Sequence, residues 1–339
     1  MKKYKVAILG ATGLVGQKML KILEERNFPI ESIKLTASAR SVGKKIKFRG
    51  EELTVIEATP DAFNDVEIVL SSAGGAVSKE LAPEIVKRGG IIIDNTSAFR
   101  MFDYVPLVVP EVNPEALRNH KGIIANPNCS TIQLVVALKP LNDYVPIKRV
   151  LVSTYQAVSG AGTKAIDELY SQSKAILEGN FQKPEKTVLP QVIGFNVIPH
   201  GGKFLDNDYT EEEVKITNET RKILGVEDLA VSATCIRVPV VTSHSEVVNI
   251  EFERELAVDK IRELLRIAEG VKVLDNPDNH LYPMPIDVTG KDDVYVGRIR
   301  KDLSHPNAIN MWIVGDNIRK GAALNAVQIA EKMIQMNLI

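Results

Sequence analysis

Short apolar runs alternate with amphipathic helical segments over the first 130 residues of the chain. The helical period is clearest where Val15, Met19, Ile22 and Leu23 fall on one face. The predicted helices here are Leu14–Glu25 and Ser78–Arg88, and the predicted strands are Tyr4–Leu9, Ser32–Ala37, Leu53–Glu57, Glu67–Ser71, Gly90–Asp94 and Gly122–Asn126. Strands that alternate with helices predict a parallel sheet with right-handed crossovers.

The pattern changes after about residue 130, where strand-like runs follow one another without a helix between each pair. The predicted strands are Arg149–Ala157, Ser232–Val241, Glu246–Glu253, Asp293–Arg300 and Ala308–Val314, and the predicted helices are Thr163–Leu177, Glu211–Leu224 and Ala257–Glu269. Consecutive strands predict a mixed or antiparallel sheet with helices on one face. A last helix, Arg319–Met336, is expected to return and pack on the first domain. We therefore predict an α/β protein with two domains, residues 1–130 plus 315–339 and residues 131–314.

Composition and charge exclude several classes of protein. Hydrophobic residues make up 45% of the chain and charged residues 25%, which is ordinary for a globular protein. The formal net charge of -1 gives no reason to expect nucleic acid or a membrane as partner. The apolar run Val6–Leu9 is too short for a secretion signal, and no segment is long enough to span a membrane. With only Cys129 and Cys235 present, a disulfide framework is not expected, and the protein is predicted to be cytoplasmic.

Three glycines stand between the first predicted strand and the first predicted helix, which is the context that a dinucleotide-binding loop requires. Gly10 permits the tight turn, Gly13 lets the backbone approach a pyrophosphate, and Gly16 allows close packing of helix and strand. Free N–H groups at the helix N-terminus would then face the phosphates. Three glycines can also simply form a turn, so the flanking strand and helix carry this prediction.

The end of the second strand indicates which dinucleotide would bind. An NAD site usually has an acidic residue there, which holds the ribose 2′-hydroxyl. This chain has no acid in that stretch and has Ser38, Arg40 and Ser41 instead. Hydroxyls and a guanidinium suit a 2′-phosphate, so NADP is predicted in preference to NAD. Taken alone, Arg40 could be one more solvated surface charge.

Cys129 follows an Asn-Pro-Asn turn at the start of a predicted helix. At a helix N-terminus the dipole and the unpaired N–H groups favour thiolate over thiol, and the same groups can hold an oxyanion. Cys235 lies instead within an apolar strand and fits an inert buried thiol. The sequence therefore predicts that Cys129 is a nucleophile.

A cysteine nucleophile needs a basic partner, and a charged substrate needs a counter-charge. His244 is the strongest of the five histidines because it follows an apolar strand and shares its turn with hydroxyl groups. Arg237 lies on that strand seven residues earlier, so both side chains could reach one cleft. A lone histidine at a strand end is more often structural, and the residues alone leave this alternative open. The other histidines are His120, His200, His280 and His305.

Motifs along the whole chain resemble those of the aspartate-semialdehyde dehydrogenase family. They are GATGLVG, SAGG, DNTSAFR, VPEVN, NPNCST, YQAVSGAG, NETRKIL, RVPV followed by SHSE, and GDNIRKGAALNA. The resemblance implies a Rossmann NADP-binding domain completed by the C-terminal helix, and an α+β catalytic and dimerisation domain like that of the glyceraldehyde-phosphate dehydrogenases. It implies a homodimer, with a tetramer as the alternative, and no metal.

The resemblance also implies an activity, the NADPH-dependent reduction of L-aspartyl 4-phosphate to L-aspartate 4-semialdehyde and phosphate. This reaction serves the biosynthesis of lysine through diaminopimelate, and of threonine, methionine and isoleucine. Cys129 would be the nucleophile that forms a thioester, His244 the acid/base, and Gln156 the residue that orients the acyl group. The implied substrate contacts are Arg100, Asn128 and Lys215 at the phosphate, Arg237 at the α-carboxylate and Glu212 at the amino group. The implied cofactor contacts are Gly10, Thr12, Gly13, Leu14, Val15, Gly16, Ser38, Arg40, Ser41, Ser159, Gly160 and Asn317.

Several alternatives share part of these features. The related N-acetyl-glutamyl-phosphate reductases have glycine where this chain has Asn128, and the usual cysteine flank of glyceraldehyde-phosphate dehydrogenases is also absent. Short-chain dehydrogenases share the glycine spacing and use Tyr-x-x-x-Lys, which Tyr170 and Lys174 match with Ser159 upstream. That interpretation leaves the NPNCST turn unused. A nucleotide-sensing protein without activity would not need the thiol, histidine and arginine together.

Overall fold

The computed structural model describes residues 2–184 and 187–339, which form two compact units. The first unit ends at Asn128 and includes Ala322–Ile339, and the second is Cys129–Gly321. Sequence placed the second boundary at residue 315, whereas residues 315–321 group with the second unit. They do so because Gly315 ends a strand of its sheet and Gly321 lies directly against Cys129.

Strands and helices alternate at the start of the first unit as predicted, but several of its later strands follow one another without an α-helix between them. In chain order its elements are β1 (Tyr4–Leu9), α1 (Leu14–Glu25), β2 (Ile30–Ala37), β3 (Lys45–Phe48), β4 (Glu51–Thr54), β5 (Ile56–Glu57), β6 (Ile68–Ser71), α2 (Gly75–Lys87), β7 (Ile91–Asp94) and β8 (Ile123–Ala125). Three short 3-10 turns, Ala39–Ser41, Pro60–Phe63 and Pro114–Asn119, lie among them.

The elements of the second unit begin at Cys129 itself. They are α3 (Cys129–Asn142), β9 (Ile147–Gln156), α4 (Thr163–Leu177), α5 (Glu211–Leu224), β10 (Ala230–Arg237), β11 (His244–Phe252), α6 (Val258–Ile267), β12 (Val271–Val273), α7 (Pro285–Val288), β13 (Val294–Lys301) and β14 (Ala308–Gly315). The final helix is α8 (Leu324–Gln335). Among the described residues, no helix has both the length and the apolar character that crossing a membrane requires.

The sheet of the first unit is wholly parallel, in the strand order β5-β2-β1-β6-β7-β8, which confirms the predicted Rossmann-like fold. The chain places β2 on one side of β1 and later places β6 on the other. Such a reversal opens a crevice at the carboxyl ends of the two central strands, where ligands of this fold class bind. The loop of Gly10, Gly13 and Gly16 lies at that end of β1.

One predicted strand, Leu53–Glu57, is wrong as a single element. Residues up to Thr54 belong to β4, which pairs with β3 in a separate antiparallel hairpin. Val55 then turns fully into the core, and β5 pairs in parallel with β2. The apolar run is therefore divided by one buried residue between two sheets, which its periodicity could not reveal.

The terminal helix α8 packs on α1, β6 and β7 within the first unit, as predicted. Its core-facing residues are Leu324, Ala326, Val327, Ile329, Ala330 and Met333. On its outer face, Arg26 of α1 and Glu331 form a two-pronged ion pair at 2.8 and 2.7 Å. The predicted helix from Arg319 begins instead with a π-turn over Arg319–Ala323, so the regular α-helix starts five residues later.

The second sheet is mixed, which is one of the two predicted arrangements, and its strand order is β10-β9-β11-β14-β13-β12. Strand β10 runs parallel to β9, whereas β11 is antiparallel to both β9 and β14. The strand predicted at Ser232–Val241 stops at Arg237 because Pro239 cannot donate to a strand ladder. Strand β12 and helix α7 are too short to have a period and were not predicted. Helix α3 packs across β9, β11, β13 and β14.

Candidate active site

Three strand ends bring predicted functional residues to one edge of the second sheet. Arg237 ends β10, Gln156 ends β9, and His244 begins the antiparallel strand β11. Arg237 and Gln156 are register partners, and His244 is the register partner of Gly315 at the end of β14. Because partners across a sheet share a face, these side chains form one row, which we call the edge row: Arg237, Gln156, His244 and Gly315.

Cys129 is the first residue of α3, the helix that lies on this sheet. Cys129 forms no disulfide and is partly exposed, whereas most of the helix that follows is buried. Pro127 two residues earlier restricts the chain before the helix, so the turn and the helix start are encoded locally. The position places the thiol at the positive end of the helix dipole.

His244 is completely buried, and its protonation state follows from its partner. The backbone N–H of Ala157 donates to Nδ1 at 2.9 Å. Because Nδ1 accepts, the ring proton belongs on Nε2. Burial, and secondly the charge of Arg237, hold the pKa of His244 well below its usual range. Nε2 has no hydrogen-bond partner among the described residues, so a buried donor is left available.

Arg237 is partly buried, and its guanidinium has little to neutralise it. Its Nη1 donates to the carbonyl of Ala157 at 2.8 Å, and no ion pair of Arg237 occurs among residues 2–184 and 187–339. Burial lowers its pKa, while the nearby Cys129, Glu212 and Cys235 act to raise it. A partly buried arginine with most of its donors unused favours a bound anion.

The side chain of Gln156 contacts both Ser130, the residue after Cys129, and the second cysteine, Cys235. Its amide Nε2 donates to the hydroxyl of Ser130 at 3.3 Å and approaches the sulfur of Cys235 at 3.8 Å. The first contact ties Gln156 to the first turn of α3, directly after Cys129. Burial raises the pKa of the Cys235 thiol well above its usual value, in keeping with the predicted inert role.

The three successive acids that begin α5 have different surroundings. Glu213 accepts from the backbone of its N-cap, Thr210, and of Cys235, so it is structural. Glu212 is the acid that acts on the pKa of Arg237, and it accepts from Lys215 at 3.3 Å. Of the two residues that the sequence assigns to the substrate, Glu212 is thus close enough to Arg237 to act on its pKa, and Lys215 pairs with Glu212.

The turn after β9 faces the edge row. A β-carbon at Gly160 would lie 3.1 Å from Nη1 of Arg237 and 3.4 Å from Nε2 of His244. The neighbouring Ser159 is buried and accepts at 3.0 Å from the amide of Asn317, whose oxygen accepts from the backbone N–H of Ser243 at 2.9 Å. Of these predicted cofactor contacts, Gly160 is exposed, whereas Ser159 and Asn317 are engaged inside the protein.

In the first unit, the glycine loop has no room for side chains at two positions. Gly10 has a φ of +91°, and a β-carbon there would lie 2.7 Å from the carbonyl oxygen of Ser72. A β-carbon at Gly16 would lie 2.3 Å from the carbonyl of Gly10. Gly13 is the N-cap of α1 and brings no capping side chain, while Leu14 and Val15 begin the helix. The loop therefore presents bare backbone at a helix N-terminus.

The turn after β2 lies beside this loop. Ser38 and Arg40 are exposed, and the turn Ala39–Ser41 contains no acid. The hydroxyl of Thr12 donates to that of Ser41 at 3.4 Å, and Ser41 is buried. Ser38 and Arg40 are thus open to a ligand, whereas Ser41 connects the two loops.

Arg100 and Asn128 are in the first unit. Arg100 is buried and donates to two backbone carbonyls, Asn126 at 3.0 Å and Asn95 at 2.9 Å. Asn126 donates through its side chain to Asn95 at 2.7 Å and accepts from Asn325 of α8 at 2.7 Å. The loop that leads into Cys129 is therefore fixed by Arg100 and by the returning helix.

Comparison with known proteins assigns both halves of the chain. Residues 5–120 match the family model "Semialdehyde dehydrogenase, NAD binding domain", and residues 138–320 match "Semialdehyde dehydrogenase, dimerisation domain". The aspartate-semialdehyde dehydrogenase of Bacillus subtilis is 56% identical, with 98% of each chain covered. This chain belongs to the aspartate-semialdehyde dehydrogenase family. It is accordingly an oxidoreductase of amino-acid biosynthesis with an NAD(P)-binding domain.

Solved structures of the family agree with this fold. Aspartate semialdehyde dehydrogenase II from Vibrio cholerae has a TM-score of 0.95 and 46% identity, over 98% of this chain and 99% of that one. The same protein complexed with ASA gives the same score and identity. The enzyme from Candida albicans with NADP has a TM-score of 0.78 and 28% identity, over the whole of both chains.

Membership in the aspartate-semialdehyde dehydrogenase family excludes the short-chain dehydrogenase alternative. Tyr170 is exposed on α4, and Lys174 pairs at 3.8 Å with Glu178 in solvent. Both belong to a solvated helix face, as helical spacing alone would produce.

Sequence reasoning missed several residues that support the site. Ala157 contributes only backbone atoms, Ser130 is one hydroxyl in a buried helix, and Gly321 has no side chain. Gln133 stands four residues after Cys129, so helical spacing could have placed both on one face. The others carry no signal without the tertiary structure.

Proposed function

We propose that this chain reduces L-aspartyl 4-phosphate to L-aspartate 4-semialdehyde and phosphate with NADPH, through a thioester on Cys129. The reaction would serve the synthesis of lysine through diaminopimelate, and of threonine, methionine and isoleucine. The observation that carries the proposal is the half-buried guanidinium of Arg237, which has no ion pair among the described residues and lies beside a thiol at a helix N-terminus. A site of this kind suits an anionic substrate that is attacked by sulfur.

The substrate has an anionic group at each end, and the residues divide between them. Arg237 binds the α-carboxylate with its planar fork, and Glu212 binds the amino group. Arg100, Asn128 and Lys215 bind the phosphate. Gln156, fixed by Ser130, orients the acyl group over the sulfur.

The first chemical step is attack by the Cys129 thiolate on the acyl carbon. A carbon–sulfur bond forms, the carbon–oxygen bond to phosphate breaks, and the leaving phosphate takes up a proton from solvent. The charge of Arg237 and the first turn of α3 stabilise the thiolate before attack. After reduction, the carbon–sulfur bond breaks, and the thiolate is restored as the aldehyde leaves.

His244 acts as a hydrogen-bond donor through Nε2–H in this mechanism. Transfer of a whole proton from Nε2 would require a positively charged ring, with a second proton on Nδ1. Nδ1 already faces the N–H of Ala157, and burial opposes the charged form. A neutral imidazole can still stabilise negative charge on the substrate oxygen or the sulfur. This role is narrower than the acid/base role that the family resemblance implies.

The first unit is suited to the cofactor. Gly10 and Gly16 leave no room for a side chain, so a pyrophosphate can approach the backbone at the start of α1. We infer that the dinucleotide contacts Gly10, Thr12, Gly13, Leu14, Val15 and Gly16. Ser38 and Arg40, with Ser41 behind them, bind a 2′-phosphate, and the Candida albicans relative is described with NADP. NADPH supplies the hydride that reduces the thioester.

Gly160 and its neighbours belong to the same proposal. Gly160 faces Arg237 and His244 and has no side chain, so we infer that the nicotinamide ring of the cofactor can approach the edge row here. The hydrogen bond between Ser159 and Asn317 fixes the turn that carries Gly160. The substitution Arg40→Gln should weaken NADP binding and leave NAD binding unchanged. An equal change in the affinities for NADP and NAD would contradict a contact between Arg40 and the 2′-phosphate.

The assembly that we propose is a homodimer formed through the second unit. The supporting features are the dimerisation-domain match over residues 138–320 and a depression at the second sheet that apolar side chains line together with Arg298 and Arg300. Residues that line it include Val247, Met284, Met311 and Trp312. Light scattering after gel filtration should give the mass of two chains, while four would indicate the tetramer and one would contradict the proposal.

The central experiment traps the acyl-enzyme in the reverse direction. Protein, L-aspartate 4-semialdehyde and NADP are mixed without phosphate, so that the thioester forms and is not cleaved by phosphorolysis. Rapid acid quenching, digestion and mass spectrometry should find an aspartyl increment on the Cys129 peptide. The Cys235 peptide of the same digest is the internal control. An increment on Cys235, or turnover without any acyl-enzyme, would refute the thioester at Cys129.

A further inference from the structure

The segment Gly315–Gly321 lies along the first turn of α3. A β-carbon at Gly315 would lie 2.8 Å from Oε1 of Gln133, and a β-carbon at Gly321 would lie 2.8 Å from Cβ of Cys129. Cys129 and Gln133 are four residues apart, so they occupy one face of α3. Two glycines of one segment therefore face two side chains of one helix turn.

Gly321 lies against Cβ and the backbone of Cys129, whereas Gly315 lies against the side chain of Gln133. A β-carbon at Gly321 would also lie 3.2 Å from Cα and 3.4 Å from the carbonyl oxygen of Cys129. None of these atoms can move by a simple side-chain rotation, unlike the end of Gln133. Gly321 has no positive φ that would itself demand glycine, so closeness to Cys129 is the reason that a larger residue does not fit.

The same segment also fixes the other side of the site. Its Asp316 accepts from the backbone N–H groups of Ile318 and Arg319 at 2.9 Å and of Gly290 at 2.8 Å. Its Asn317 accepts from the backbone of Ser243, the residue before His244. The segment is thus held by its own hydrogen bonds and contacts both the helix start and the start of β11.

We propose that Gly321 is a positioning residue, whose missing side chain sets the distance between the Cys129 thiol and the Arg237–His244 pair. This inference rests on the proposed role of Cys129. A methyl group at residue 321 would push Cys129 away from the segment that holds His244. A displacement of about 1 Å in a reacting group can cost on the order of 100-fold in rate, so even a small shift matters.

The first test is kinetic. Gly321→Ala should lower kcat by roughly 10- to 100-fold, leave the KM for the semialdehyde within about two-fold, and leave the dissociation constant of NADP unchanged. Gly194→Ala is the matched control, because a β-carbon there would lie 3.0 Å from Cβ of Gln172 and from the backbone of Ser173, and none of its nearest atoms belongs to Cys129. The control should keep its kcat even if its melting temperature falls. An unchanged kcat in Gly321→Ala would overturn the proposal, as would an equal loss in Gly194→Ala.

The second test does not depend on catalysis, so it separates this inference from the proposed function. The loss of urea midpoint caused by Gly321→Ala is measured in wild-type, Cys129→Ala and Cys129→Gly backgrounds. The loss should persist in the alanine background, which keeps Cβ, and shrink in the glycine background, which removes it. Equal losses in all three would overturn the contact. Should the acyl-enzyme trap fail while this coupling holds, the nucleophile role would be wrong and the contact correct.

Discussion

Two neighbouring rows of side chains on one face of the second sheet share their strands and differ in their environment. The edge row contains Arg237, Gln156 and His244, and the row two residues further along each strand contains Cys235, Thr154 and Glu246. We call the latter the inner row. Both rows are polar, and helices cover both.

The difference lies in what the polar groups face. In the edge row, Arg237 and His244 have donors left over beside a partly exposed thiol. In the inner row, burial raises the pKa of both Cys235 and Glu246, so each favours its neutral form. Gln133 lies near Glu246 and lowers the pKa of that carboxyl, but burial raises it by more. Neither carboxyl oxygen of Glu246 has a hydrogen-bond partner among the described residues. Position along the strand thus decides whether a polar residue is available for chemistry.

The sharpest test of this contrast compares the two thiols. Cys129→Ser should abolish turnover, because a serine hydroxyl is not ionised at neutral pH, and NADP binding should persist. Cys235→Ala should keep turnover and lose about 1 kcal/mol of stability from the small cavity. Phosphate-dependent NADP reduction and urea titration measure the two effects. The contrast would fail if Cys129→Ser were active or Cys235→Ala inactive.

Substitutions of His244 test its role in the edge row. His244→Leu should lower kcat by about 10²- to 10³-fold, the usual cost of losing one donor at a developing negative charge. His244→Gln should lower it less, because an amide can still donate. Equal losses of kcat in the two variants would instead support proton transfer.

Burial of His244 also affects stability. Because the folded-state pKa of His244 is depressed, wild-type stability should fall as pH drops below the unfolded value of about 6.5.

Arg237 should be the next most sensitive residue. Arg237→Lys keeps the charge and loses the planar fork, so one charge-assisted hydrogen bond to the substrate carboxylate is lost. This should lower kcat/KM by roughly 10- to 100-fold, while the dissociation constant of NADP measured by calorimetry stays unchanged. Parallel losses in substrate use and NADP binding would show that Arg237 is structural.

Glu246→Gln should have the smallest effect on turnover and a distinct effect on stability. A carboxyl with a raised folded-state pKa stabilises the protein below the unfolded pKa of about 4.3, and this contribution is lost as pH rises toward the folded value. The variant lacks that titration, so its free energy of unfolding relative to that of the wild type should increase by up to about 1.4 kcal/mol per pH unit as pH rises over this range. Urea titrations from pH 4 to 8 measure it, and a constant difference would mean that Glu246 ionises freely.

Sequence reasoning was most successful where the signal was local. Leu14–Glu25, Thr163–Leu177 and Glu211–Leu224 are helices with the predicted bounds, because their apolar positions and their end residues lie within one segment. The start of α3 at Cys129 is likewise encoded by the preceding turn. Leu53–Glu57 failed since its division depends on which strand each half pairs with.

The site residues divide in the same way. Cys129 and Arg237 could be selected by residue type and by their place at an element's end. Glu246 could not, because its neutral form follows from total burial on β11, and an isolated glutamate predicts a surface charge. Gly321 could not, because its importance lies in the atoms that approach it from α3.

By itself, the sequence determined the longer helices and strands, the glycine loop between β1 and α1, and the thiol at a helix start. These features depend on residues within a few positions of one another. The tertiary structure alone decided that Arg237, Gln156 and His244 form one row, that Nδ1 of His244 accepts a hydrogen bond, and that Gly321 lies against Cys129. Strand register and burial arise from pairings between distant parts of the chain, so no local pattern records them.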